Sequence, residues 1–255
     1  MIFAAGLGTR LRPLTDTMPK ALVPVGGETL ISRVIHRLSD IGTNRIIVNV
    51  HHFSEMIVEY LKENDNFGLD IRISDESDKL LETGGGIRKA IPLFDTSSPI
   101  LIHNVDILSN VDLGRFYDRG LSHDATLLVS ERKTKRYLLF DDEMKLVGWT
   151  NTETGEVKSP YINYTFPYDT ESQRNECEDF VNRHHKFAFS GIHTFSPSLF
   201  PLMDVYPDRF PIIDFYLQQC DKVDIRGYLK TNLKLMDVGK IETLSDADDF
   251  IAGLG

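Results

Sequence analysis

Cysteine is nearly missing from this chain: its 255 residues include only Cys177 and Cys220. The two lie too far apart for a C-x-x-C metal or redox motif, and a single pair cannot build a disulfide framework. Free thiols in a reducing compartment, and hence a cytoplasmic location, are the expectation. Long apolar runs are also absent. None approaches the roughly 18 residues of a membrane span, and Met1 to Ala5 is too short and lacks the basic start of a signal peptide, so no membrane partner is expected. Positive charge is in deficit, with 28 Lys and Arg against 38 Asp and Glu, a net charge of −10. Such a chain repels a nucleic-acid backbone unless its cations gather on one face, so nucleic acid is not an expected partner. There is no internal repeat and no low-complexity tract.

With 41% hydrophobic residues the chain can bury one large core. Met1 to Ala5 reads as a buried strand, Thr29 to Ile41 as a helix with Leu30, Val34, Leu38 and Ile41 on one face, and Arg45 to Val50 as a second strand. A helix from Ser54, a strand at Asp70 to Ser74, a helix beginning near Gly86 and a strand at Pro99 to His103 continue the alternation. That order predicts an α/β fold with a mostly parallel sheet covered on both faces, with ligands bound beyond the carboxyl ends of its strands. Ala125 to Ser130, and Arg136 to Trp149 folded about Asp141-Asp142-Glu143, read as strands with a hairpin. Residues 151–186 are polar and aperiodic and are expected to form an insertion or lid within one domain spanning 1–255. Phe187 to Phe195 reads as a strand, Ser198 to Met203 and Ile212 to Cys220 as helices, and Val223 to Leu229 with Leu233 to Met236 as paired strands.

Within this frame the segment from Ala4 to Val25 carries the chemistry. A glycine-rich turn, Gly6-Leu7-Gly8-Thr9, follows the first strand directly, and Arg10 and Lys20 come next. Glycine adopts positive φ without steric cost and leaves backbone N–H groups free to face phosphate oxygens, while two cations neutralise a triphosphate. A P-loop would need Gly-Lys followed by Ser or Thr, and a dinucleotide fold a third glycine near Leu11; neither is present.

The run Gly6, Gly8, Thr9, Arg10, Leu11, Pro13, Leu14, Thr15, Pro19, Lys20, Leu22, Pro24 and Val25 resembles the signature of the sugar-1-phosphate nucleotidyltransferases. The resemblance implies a three-layer α/β/α Rossmann-like (GT-A-like) fold with a mixed, mostly parallel central sheet. It also implies a reaction in which a sugar 1-phosphate oxygen attacks the α-phosphorus of an NTP and expels pyrophosphate. By the same resemblance Arg10 holds the leaving pyrophosphate, Lys20 sits by the α-phosphate and the sugar phosphate, and Asp106 and Asp237 hold Mg²⁺. Each aspartate follows a strand, at Asn104-Val105-Asp106 and at Met236-Asp237-Val238. Two carboxylates with substrate phosphates and water suffice for this ion. A turn or cap role for Asp106, and an N-cap role for Asp237 ahead of Ile241 to Leu244, are the plain structural readings.

The nucleotide is expected against Ala5, Gly6, Gly8, Thr9, Arg10, Glu76, Glu82, Gly84 and Gly85, the loop Glu82-Thr83-Gly84-Gly85-Gly86 reading the base. The sugar phosphate is expected against Lys20, Asn104, Gly148 and Gly191. The chain departs from the family pattern where Val105 replaces a customary glycine, which narrows a pocket if it faces the substrate. It also lacks the Glu-Lys-Pro tripeptide that many relatives use for the sugar phosphate. Arg136 to Asp141 and the triple glycine instead look like the subgroup of N-acetylmuramate 1-phosphate uridylyltransferases and their guanylyl relatives. The expected pair is UTP with N-acetylmuramate 1-phosphate, the alternative GTP with mannose 1-phosphate. A third reading, transfer to phosphocholine, draws on Tyr161, Tyr164, Phe166 and Tyr168 as an aromatic cage. A non-catalytic nucleotide-sugar sensor would have lost Arg10, Lys20, Asp106 or Asp237, and all are present. The chain ends soon after Asp237, so no appended β-helix of hexapeptide repeats is expected. Oligomeric state is not legible. His51-His52 and His184-His185 point to opposite faces in pairs and suggest no metal site.

Overall fold

The computed structural model describes residues 1–254. Its strands are β1 (Ile2–Phe3), β2 (Pro24–Val25), β3 (Glu28–Thr29), β4 (Arg45–Val50), β5 (Asp70–Asp75), β6 (Ile100–Asn104), β7 (Ile107–Ser109), β8 (Ala125–Ser130), β9 (Arg136–Phe140), β10 (Leu146–Asn151), β11 (Glu156–Lys158), β12 (His185–Phe195), β13 (Ile225–Leu229) and β14 (Leu235–Asp237). The helices are α1 (Leu30–Asp40), α2 (Ser54–Glu63), α3 (Glu82–Ala90), α4 (Leu113–Gly120), α5 (Glu171–Asn182), α6 (Ile212–Gln219), α7 (Ile241–Leu244) and α8 (Ala247–Ala252).

Ten strands form one mixed sheet. A parallel block, β6-β1-β4-β5, joins through the long β12 to an antiparallel wing, β9-β10-β11, while β8 pairs with both β12 and β13. The interior parallel strands β1, β4 and β6 are largely apolar, as strands covered on both faces must be, with β4 buried from Ile46 to Val50, while the edge strand β5, Asp-Ile-Arg-Ile-Ser-Asp, is mostly polar and half exposed. One core lies beneath α1, α2 and α4 and includes Leu30, Ile35, Ile57, Leu61 and Phe116. A second, beneath α3 and α6, gathers Ile87, Ala90, Phe215 and Tyr216. Helices therefore cover both faces, in three layers. Thr29 caps α1 by accepting from the Ser32 N–H at 3.2 Å, and Asp112 caps α4 through the Arg115 N–H at 2.9 Å, each satisfying an otherwise orphaned donor.

Three expectations change. Val223 to Leu229 and Leu233 to Met236 do not pair with each other: β13 extends the main sheet parallel to β8, and β14 forms a separate antiparallel ribbon with β7. The reason is apolar content on both strands, which pattern alone cannot assign to partners. The triple glycine is not a loop but the first turns of α3. Residues 151–186 contain β11 and α5, and Val157, Cys177 and Phe180 close a small third core against Leu139 and Val147 of the wing.

Candidate active site

A cleft of about 360 Å³ opens beyond the carboxyl ends of β1, β4, β5 and β6. Phe3, Ala4, Ala5 and Gly6 line it from the end of β1, Asn49 from β4, Glu76 from just past β5, and Asn104, Val105 and Asp106 from the end of β6. Leu80, Glu82, Thr83 and Lys20 complete the wall. The ends of β4, β5 and β6 thus bring polar side chains to one rim, the place where ligands bind in such sheets.

The glycine-rich turn is tightly wound. Gly8 has φ +63°, and a Cβ there would meet Thr15 Cγ2 at 2.8 Å and Lys20 Cβ at 3.2 Å. The Gly8 carbonyl accepts from the Leu11 N–H and from Thr15 Oγ1, both at 2.8 Å. Gly6 lines the cleft and has open space where a side chain would stand. The turn aims Arg10 and brings Lys20 beside it, residues that the sequence separates by ten positions.

Four charged groups meet at one end of the cleft. Lys20 is ion-paired with Asp106, both side chains nearly buried. Arg10 Nη2 lies 3.9 Å from Asp237 Oδ2. The register of β14 against β7 pairs Asp237 with Ile107, and the Val238 N–H donates to the Asp106 carbonyl at 3.0 Å, so the two aspartates are locked side by side across that ribbon. Gly239 closes the group: a Cβ on it would lie 2.6 Å from Asp237 Oδ1, 2.8 Å from Arg10 Nη2 and 2.9 Å from Lys20 Nζ. Asp237 caps no helix, since the first turn of α7 follows Lys240. Among the described residues no group of three or more His, Cys, Asp or Glu side chains is placed to hold a metal ion by itself. Two aspartate carboxylates, one in the turn just before β7 and one at the end of β14, are a hard-oxygen donor set, which suits a Mg²⁺ ion that takes its other ligands from phosphate and water.

Glu76 is fully buried yet lines the cleft. Its carboxylate accepts from Asn49 Nδ2 at 2.8 Å and from the Leu81 N–H at 3.1 Å, and Asn49 Oδ1 accepts from the Ala4 N–H at 2.8 Å. This chain ties the floor of the cleft to β1, β4 and β5. Glu82 opens α3 at φ +61°, a costly conformation for a residue with a Cβ. An ion pair to Arg209 at 2.7 Å holds it there.

Most of the residues singled out from the sequence therefore converge: Ala5, Gly6, Lys20, Glu76, Glu82, Asn104 and Asp106 line the cleft, and Gly8, Thr9, Arg10 and Asp237 stand at its end. Gly191, at φ +74° in a bulge of β12, sits against Asn104, where a Cβ would come within 2.7 Å of Nδ2. Gly84, Gly85 and Gly148 are placed elsewhere. The Gly84 and Gly85 N–H groups donate to the Phe210 carbonyl at 2.9 and 3.2 Å, and their missing side chains make room for Phe210 and the Asp208 carbonyl. Gly148 lies under Lys158, Ser159 and Phe180 in the wing. These glycines serve close packing, which composition cannot distinguish from close approach to a ligand. Sequence reasoning missed Asn49, a buried amide in an otherwise apolar strand, and Gly239, whose role needs the far partners Arg10 and Lys20 to be seen.

Residues 1–137 match the Nucleotidyl transferase family. The chain belongs to that family. Over 108 residues it is 44% identical to an N-acetylmuramate alpha-1-phosphate uridylyltransferase of Caulobacter vibrioides, covering 42% of this chain and 44% of that protein. A mannose-1-phosphate guanyltransferase of Kluyveromyces lactis is 26% identical over 264 residues, 99% of this chain and 63% of the yeast protein. The chain thus spans less than two thirds of the length of either relative. Among solved structures, a putative glucose-1-phosphate thymidylyltransferase of Bacillus anthracis superposes with TM-score 0.74 at 15% identity, over 97% of this chain and 92% of the other. That likeness fixes the nucleotidyltransferase fold as a mixed α/β/α sandwich. No helix among the described residues is long and apolar enough to cross a membrane.

Proposed function

We propose that this protein transfers a nucleotidyl group from an NTP to a sugar 1-phosphate, releasing pyrophosphate. The observation that carries the reading is the meeting of Arg10, Lys20, Asp106 and Asp237 around Gly239 at the end of a cleft built from four strand ends. A sugar phosphate is already an anionic nucleophile, so the site needs no strong general base; positioning and cations on the developing charge do the catalysis. Gly6 and Gly8 present backbone N–H groups to the triphosphate. Arg10, half exposed beside Asp237, takes the leaving pyrophosphate. Lys20 stands nearest Asp106 and aligns the α-phosphate with the incoming phosphate oxygen. Asp106 and Asp237 would hold Mg²⁺, which when bound neutralises phosphate charge. Asn104 and the Gly191 backbone border the sugar, and Glu76 with Glu82 and Thr83 border the base.

The favoured pair is UTP with N-acetylmuramate 1-phosphate, in keeping with the Caulobacter relative and with the Glu82 to Ile87 and Arg136 to Asp141 segments. GTP with mannose 1-phosphate is the second reading, in keeping with the longer alignment to the yeast protein. The test is pyrophosphate release with UTP, GTP, CTP, ATP or dTTP against N-acetylmuramate 1-phosphate, mannose 1-phosphate, glucose 1-phosphate and phosphocholine. Release with one UTP or GTP pair is the expected result. Silence with every sugar phosphate, or release with phosphocholine alone, would overturn it.

A further inference from the structure

A second cavity, of about 540 Å³, lies on the wing of the sheet next to the cleft. Its floor follows from strand register. Arg136 pairs with Asn151 and Asn151 with Glu156; one step along, Leu138 pairs with Trp149 and Trp149 with Lys158. Because side chains alternate across a strand, these two rows share one face, and all six line the cavity. Pro211, Ile213, Asp214 and Leu217 of the α6 region wall one side, and Arg132 and Phe189 another.

The charges in this cavity are unequally matched. Lys158 Nζ lies 3.8 Å from both Glu156 and Asp214, and 5.3 Å from the centre of the Trp149 ring. It is accounted for. Arg132 and Arg136 have no carboxylate within ion-pairing distance among the described residues; Arg132 Nη2 donates only to the Phe189 carbonyl, at 3.0 Å. In a chain of net charge −10 two uncompensated guanidinium groups opening on one cavity are an anion-binding arrangement. The cavity is also tied to the reaction centre. Phe189 is two residues from Gly191, which touches Asn104, so at most about 7 Å of chain separates the two sites, the breadth of one sugar ring. On the opposite wall, Thr83 lines the cleft and accepts the Ile212 N–H at 2.9 Å, between the cavity residues Pro211 and Ile213.

Resting on the nucleotidyl transfer proposed above, we infer that this cavity receives the far side of the sugar and that Arg132 and Arg136 bind a second anion, a carboxylate, carried by the acceptor in addition to its 1-phosphate. Trp149, Leu138 and Phe189 offer the apolar surface for the ring and its substituents. The acceptor is then a sugar acid 1-phosphate rather than a neutral hexose 1-phosphate.

Two measurements on the full chain test this. In the first, free N-acetylmuramate, which bears a carboxylate and no phosphate, is titrated against the protein and followed by NMR, with N-acetylglucosamine as its neutral counterpart. The acid binds, the neutral sugar does not, and Arg132→Gln and Arg136→Gln each abolish binding. In the second, kcat/KM with UTP is compared for N-acetylmuramate 1-phosphate and N-acetylglucosamine 1-phosphate. Each substitution lowers kcat/KM about 10- to 100-fold for the acid, through KM, and leaves the neutral substrate within about threefold. Equal losses for both substrates, or no loss for either, overturns the subsite while the transferase reading stands. Arginine-dependent binding of the acid with no turnover of any sugar phosphate upholds the subsite and overturns the transferase reading.

Discussion

Gly239 shows how much of the site depends on single atoms. Any side chain there would press on Asp237 Oδ1, Arg10 Nη2 and Lys20 Nζ together. All three are the ends of flexible side chains, so Gly239→Ala should leave the fold intact and displace the charged cluster. We expect a fall in kcat/KM on the order of 100-fold, because small misplacements of positioning groups cost that much, with a thermal midpoint within a few degrees of wild type. Measuring pyrophosphate release and thermal unfolding on one preparation separates the two effects. Asp106→Asn and Asp237→Asn should each lower Mg²⁺-dependent turnover by on the order of 100-fold or more. Asp249→Asn, on an exposed helix face, should not. Equal activity in all three variants would remove the metal assignment. The aspartates and cations could be named from the sequence because the run from Gly6 to Val25 resembles the nucleotidyltransferase signature and each aspartate follows a strand. Gly239 could not, since nothing in Asp237-Val238-Gly239 announces partners more than two hundred residues away.

At the scale of elements, α3 is held by its glycines. Gly84 packs against the buried Phe210 ring, and a Cβ would also meet the Phe210 carbonyl, a backbone atom, at 2.9 Å. Replacing a helical glycine with alanine gains about 1 kcal/mol of propensity, but overpacking against backbone costs about 1–3 kcal/mol. Gly84→Ala should therefore destabilise the protein by up to about 2 kcal/mol, read as a lower urea midpoint at unchanged slope; a stabilised variant would contradict the packing role. The same helix start holds Glu82 at positive φ against Arg209. The periodic elements α1, β4 and β8 were legible because their apolar spacing has a single interpretation. The partners of β13 and β14 were not, because pairing is decided by which edges the rest of the sheet leaves open.

For the whole molecule, two buried histidines couple stability to pH. Burial pushes both His103, in β6, and His193, one register step away in β12 on the opposite face of the sheet, down to about 3 from 6.5. Burial opposes their charging, and nearby Arg37 adds to this for His103. His103 Nε2 has no partner, while Nδ1 faces the Asn104 carbonyl; His193 Nδ1 bonds the Tyr216 hydroxyl at 2.6 Å. The folded state keeps both neutral while the unfolded chain protonates below pH 6.5, so the unfolded state binds more protons between about pH 3 and 6.5. Stability is then complete above that window and falls as pH drops through it, by up to about 1.4 kcal/mol per pH unit for each histidine. Urea unfolding between pH 7.5 and 4.5 should show this slope, and His193→Asn should reduce it by one titrating group. A stability independent of pH across that range would contradict the burial argument.

The sequence by itself determined the alternation of strands and helices and the glycine-rich turn, because each is a local pattern set by backbone geometry and residue type, and its resemblance to the family singled out Arg10, Lys20, Asp106 and Asp237 as candidates. Only the tertiary structure decided that Asp106 and Asp237 are neighbours, through the β7–β14 ribbon. It alone placed Gly84 and Gly85 in packing contacts with Phe210 and Asp208, and Arg132 and Arg136 in one cavity without carboxylate partners. The physical reason is the same in each case: contacts between residues distant in the chain depend on strand register and on which surfaces are left to cover, and neither is written in any single stretch of residues.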